Sequence, residues 1–71
     1  MTRDEVIQAI RENNGRAVKV QTGTRTYGKY IDTCATIYWI QDKYLWRSDV
    51  TTNQFGGVSR GLSNTWGPVT S

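Results

Sequence analysis

Two periods of apolar spacing succeed one another along this 71-residue chain. From Thr2 to Asn13 the period is helical: Val6, Ala9, Ile10 and Asn13 share one face, with Ile7 on its flank. Thr2, followed three residues on by Glu5, forms a capping box. Asp4 and Glu5 fall in the first turn, where the helix dipole favours negative charge. Asn13-Asn14-Gly15 reads as the stop, with Gly15 suited to a left-handed position. The apolar stripe is short, so the helix is expected to pack on a sheet.

After Gly15 the spacing becomes that of strands. Arg16 to Thr22 and Thr26 to Thr33 read as a first hairpin around Gly23-Thr24-Arg25. A three-residue loop sets Val20 opposite Gly28, Val18 opposite Tyr30 and Arg16 opposite Asp32, a face with an apolar middle. The other face then pairs Lys19 with Lys29 and Gln21 with Tyr27. Like charges directly opposite are destabilising, so this register invites an anion between the lysines. Splaying both side chains into water is the ordinary alternative. Tyr30 faces inward in this register and counts as core.

Thr36 to Gln41 and Tyr44 to Val50 form a second hairpin, turning at Gln41-Asp42-Lys43. A two-residue turn sets Trp39 opposite Trp46; a three-residue turn sets Tyr38 there instead. Both stand. Ile37-Tyr38-Trp39-Ile40 is apolar on both faces, as in a strand that is central, closes a barrel or makes a subunit interface. Residues 1–55 are expected to be one α+β domain. Residues 56–71, rich in Gly, Ser and Thr, hold a last short strand near Gln54 to Arg60 or a flexible tail. The final residues are either packed through Trp66 or a disordered arm that orders on binding. Phe55, Val58, Leu62, Trp66 and Val69 are spaced as anchors.

Composition narrows the chemistry. The chain has no histidine and one cysteine, Cys34. That removes Ser-His and Cys-His nucleophiles and any zinc site of ordinary spacing. The lone thiol points to a reducing compartment. Met1 to Glu5 leads into no apolar run, so no signal peptide is expected, and no stretch has the length of a membrane span. Asp32, Asp42 and Asp49 sit in contexts typical of strand ends and turns, where Asp bonds locally. We expect no enzyme activity, cofactor or metal.

Nine Lys and Arg stand against six Asp and Glu, a net charge of +3. Arg16 to Ile31 alone holds Arg16, Lys19, Arg25 and Lys29 with no acid, interleaved with Tyr27 and Tyr30. Phosphate backbones and unstacked bases select for this pattern; a solvated sheet face is its plain alternative. Arg47, beside Trp46, and Arg60 extend the candidate surface. Trp39, Trp46 and Tyr38 are a second candidate, an aromatic patch for bases or a protein partner, but they read more strongly as core because Leu and Ile are few. In a protein-binding role Trp39, Trp46 and Trp66 would be the hot spots.

Gly15, Val18, Val20, Gly23, Tyr27, Gly28, Ile31 and Asp32 together resemble the first motif of the Sm-like RNA-binding family. In that family a glycine within the second strand allows a sharp bend, a place the resemblance gives to Gly28. The resemblance implies a ring-shaped oligomer that binds single-stranded RNA.

The expected architecture is α+β: an N-terminal helix, then a strongly bent antiparallel sheet of four to five strands closing as a small β-barrel. The expected function is a non-enzymatic nucleic-acid-binding module, favouring single-stranded RNA or DNA, built on Arg16, Lys19, Arg25, Tyr27, Lys29, Arg47 and Arg60. The alternative is a small interaction or inhibitor protein of phage or mobile-element type, binding an acidic protein surface. Either is expected in the cytoplasm, off the membrane, with homo-oligomerisation open to both.

Overall fold

A computed structural model describes residues 1–69; Thr70 and Ser71, the end of the 56–71 segment, lie outside the described residues. Helix α1 spans Arg3–Glu12, and four strands follow: β1 (Val18–Tyr27), β2 (Tyr30–Gln41), β3 (Tyr44–Asn53) and β4 (Val58–Pro68). The strands form one antiparallel sheet in the order β1-β2-β3-β4. The molecule is elongated, 46 × 21 × 18 Å.

The helix begins as its sequence predicts. Thr2 is the N-cap; its hydroxyl accepts from the Glu5 backbone N–H at 3.2 Å, and the Glu5 carboxylate accepts from the Thr2 N–H at 3.3 Å. It ends through left-handed Asn14 (φ 59°) and Gly15 (φ 77°), which lets the Gly15 N–H reach the Ile10 carbonyl at 2.9 Å.

Its apolar stripe makes the core at one end of the sheet. Val6, Ile7 and Ile10 bury against Leu45, with Val18, Tyr38, Ile40, Trp66 and Val69 packed around them. Arg3 ties the end of β4 to the helix. Its Nε donates to the Trp66 carbonyl at 2.8 Å, and its Nη2 donates to the Pro68 carbonyl. Because the helix covers the core, the sheet has no need to close over it. It stays open, with β1 and β4 as its edges, and is not the expected β-barrel.

The first hairpin departs from its expected register. β1 runs through Gly23-Thr24-Arg25 and turns at Gly28-Lys29, with Tyr27 opposite Tyr30. The register is set by that turn, and a β-bulge between Gln21 and Gly23 then shifts the pairing by one residue without ending the strand. The chain then reverses at Gly28 (φ 58°), a conformation that costs glycine little. Gly28 is therefore the turn itself and not a bend within a strand. Lys19 faces Ile37, Val18 faces Tyr38 and Val20 faces Thr36, so the expected Lys19–Lys29, Val20–Gly28, Val18–Tyr30, Arg16–Asp32 and Gln21–Tyr27 pairs do not form. Tyr30, expected in the core, is 58% exposed.

The second hairpin uses the two-residue turn, and Trp39 lies opposite Trp46. Asp42 (φ 53°) and Lys43 (φ 67°) both adopt left-handed backbone, the conformation of a type I′ turn. The C-terminal segment is a long strand, not a short one near Gln54 to Arg60. Residues 54–57 are instead the turn before it, closed by the Asn53 carboxamide oxygen, which accepts from the Phe55 and Gly57 N–H groups.

Candidate nucleic-acid interface

Alternation along the strands sorts side chains onto two faces. Val18, Tyr38, Arg47 and Asn64 lie in one row on the face that α1 covers. Lys19, Ile37, Ser48 and Ser63 lie in a row on the opposite face, as do Trp39, Trp46 and Thr65. All the sheet residues packed around α1 belong to the first face, so no helix among the described residues covers the second.

Charge divides the same way. On the covered face Arg25 lies opposite Asp32, and Arg47 shares its face with Asp49. Cations and carboxylates there balance. On the open face the charged strand residues are Lys19 and Arg60, with no acid among the described residues.

The open face also gathers the aromatic rings. Trp39 and Trp46 stack as a cross-strand pair, ring centroids 6.4 Å apart and planes 11° from parallel. Their indole N–H groups are anchored on Gln41: Trp39 Nε1 donates to the Gln41 Oε1 at 3.2 Å, and Trp46 Nε1 to the Gln41 carbonyl at 3.3 Å. Both rings are half-buried. Arg60 reaches diagonally across β3 and places its guanidinium 5.0 Å from the centre of the Trp39 ring, a cation–π contact. Arg60 Nε also donates to the Ser48 hydroxyl at 3.4 Å, and that hydroxyl donates to the Gly61 carbonyl at 2.9 Å. Ser48 is only 2% exposed, so the chain of bonds holding Arg60 begins inside the sheet.

The residues expected to form one basic surface are dispersed. Lys19 and Arg60 share the open face. Arg25 and Tyr27 lie on the other face, near the end of the sheet remote from the helix; a hydrogen bond to the Tyr27 side chain raises the Arg25 guanidinium pKa above its ordinary value. Lys29 is in the turn at that end, and Arg16 precedes β1. Arg47 stacks on Trp66, 5.0 Å from its ring centre, and so belongs to the flank of the core. A polar cleft of about 330 Å³ beside it is lined by Thr36, Tyr38, Arg47, Asp49 and Asn64. There the Asp49 carboxylate accepts from the Thr36 hydroxyl at 3.1 Å, and its charge opposes an anion near Arg47.

The Trp39–Trp46–Arg60 cluster is what sequence reasoning did not assemble. Its one available signal was the two-residue turn, which alone places the two indoles opposite each other. A second group, Tyr30 and Phe55, meets edge to face at 6.2 Å at the remote end, with Tyr27, Ile31 and Val58 also exposed there. Phe55, 75% exposed, and Val58 and Leu62 do not serve as the packing anchors their spacing suggests; Trp66 and Val69 do.

No family model matches the chain, and no curated protein or solved structure matches it. Among the described residues no helix is long and apolar enough to cross a membrane, and no three His, Cys, Asp or Glu residues converge as a metal site.

Proposed function

We propose that this protein is a non-enzymatic nucleic-acid-binding module that meets its ligand on the open face of the sheet. The observation that carries the reading is the coincidence, on the face that no helix covers among the described residues, of Lys19, Arg60 and the half-buried Trp39–Trp46 pair with no acid on its strands. Cations supply the phosphate attraction and the indoles supply surfaces for unstacked bases. This relocates the interface from the first hairpin to the middle of the sheet. Lys19 and Arg60 are retained from the expected set; Arg16, Arg25, Lys29 and Arg47 contribute only to the general field, and Tyr27 lies off this face. A cytoplasmic location goes with this reading, since Cys34 is a lone thiol. The Sm-like resemblance of residues 15–32 is the reason to try single-stranded RNA alongside DNA, and to determine the oligomeric state.

The test is anisotropy with labelled single-stranded RNA and DNA at low salt. Arg60→Ala with Lys19→Ala is expected to weaken binding at least tenfold while Arg25→Ala with Lys29→Ala changes it less than twofold. The reverse ranking, or no binding to either strand, contradicts the proposal.

A second reading is supported by the remote end. Tyr27, Tyr30, Ile31, Phe55 and Val58 are all exposed there beside Arg25 and Lys29. Exposed aromatics flanked by cations suit an acidic protein surface, as in a small phage-type inhibitor. Pull-down of one host protein that survives nuclease and is lost with Phe55→Ala favours this reading.

A further inference from the structure

We propose that the open face takes a two-nucleotide segment of single strand, one base on Trp46, with Arg60, seated over the Trp39 ring, pre-oriented on the phosphate that follows. This rests on the nucleic-acid reading above and gives it a ligand size and a dominant force.

The charge on the face is too small to hold a long polyanion. Neutralising Z phosphates of a single strand makes log K fall with log salt at a slope of about −0.7Z. Lys19 and Arg60 alone give about −1.4. Stacking must therefore carry most of the affinity. The paired bases of a duplex already stack on each other and have no free face for Trp46. A single strand does.

Arg60 is built to meet phosphate. Its guanidinium is fixed from one side by the Trp39 ring at 5.0 Å and from another by Ser48 at 3.4 Å. Among the described residues its one side-chain hydrogen bond is made by Nε, which leaves the two Nη nitrogens for a pair of phosphate oxygens. The Gly61 carbonyl orients the Ser48 hydroxyl, so Ser48 is a positioning residue for Arg60. Ordering the guanidinium before the ligand arrives lowers the entropy lost on binding.

The experiment uses the full chain and competes a labelled single strand with oligothymidylates of two, four and eight nucleotides and with a duplex. A dinucleotide with a neutral methylphosphonate linkage is included. The inference expects affinity to level off beyond two nucleotides apart from statistics, a salt slope no steeper than about −1.4, and duplex binding at least tenfold weaker. Trp46→Ala should lose between about five- and hundredfold, and Trp39→Ala, which unseats Arg60, should lose the preference for phosphodiester over methylphosphonate. Arg60→Ala and Ser48→Ala should abolish the preference for phosphodiester over methylphosphonate, a readout that a merely structural role for Ser48 would not move. Trp39→Phe, a conservative ring, should bind between wild type and alanine. Affinity that keeps climbing to eight nucleotides with a steep salt slope overturns the inference but leaves the nucleic-acid reading standing. Absence of binding at every length overturns both.

Discussion

The sheet carries two arginine–tryptophan pairs at the same centre distance on opposite faces, and they differ in what surrounds them. Arg47 lies 5.0 Å from the Trp66 ring and Arg60 5.0 Å from the Trp39 ring. Trp66 packs on the core under α1, its ring 5.9 Å from Tyr38 and its carbonyl held by Arg3. Trp39 has Trp46 as its ring neighbour and no helix above it. Asp49 shares the face of the first pair, while no acid among the described residues shares the face of the second. The same two residue types thus seal a core in one place and present a surface in the other. What decides between these roles is the element lying over them.

The largest expected effect tests the covered side. Leu45 is fully buried in the only core cluster among the described residues. Leu45→Ala should cost about 2–5 kcal/mol, a large share of what so small a domain has to spare. Denaturant unfolding will read it as a lowered midpoint or as loss of the folded baseline. Trp66→Ala should follow at about 3 kcal/mol, whereas Trp39→Ala on the open face should cost about 1 kcal/mol. Equal losses would erase the distinction between the faces. Next comes the exchange of arginines. Arg47→Ala should leave oligonucleotide affinity within about twofold, whereas Arg60→Ala should weaken it by about tenfold, the range of a charge-assisted hydrogen bond.

The smallest effect concerns the helix start. The hydrogen bonds from the Thr2 side chain, then its backbone N–H, hold the Glu5 carboxyl below its ordinary 4.5. A carboxyl depressed on folding adds stability above that ordinary value and loses it as pH falls through the lower folded value. Stability should therefore decline slightly as pH drops below about 4.5, the ordinary value. In Glu5→Gln, unfolding midpoints should lack that share of the decline; an unchanged pH profile would remove Glu5 as its source.

The helix was legible because its signals are local: Thr2 and Glu5 cap it, and Val6 and Ile10 fall on its buried face. The first hairpin was not, because Gly23 carries the residue type of a loop while pairing with Cys34 inside a strand, just after a bulge at Thr22. The second turn was ambiguous for the opposite reason. Asp42-Lys43 takes left-handed backbone at both positions without a glycine to announce it. β4 has little apolar alternation of its own and is a strand because β3 offers it a paired edge. The interface inherits these difficulties. Its residues come from β1, β2, β3 and β4, so a register error in any hairpin moves Lys19, Trp39 or Arg60 to the wrong neighbours.

The three tryptophans allow one decisive measurement. Their indole N–H signals in an isotope-labelled sample report separately on the open face (Trp39, Trp46) and the core flank (Trp66) during titration with a short single-stranded oligonucleotide. Our account predicts that the Trp39 and Trp46 signals shift together along one binding curve while Trp66 stays in place. Shifts at Trp66 alone, or at the Tyr27–Tyr30 end with all three indoles still, would contradict it.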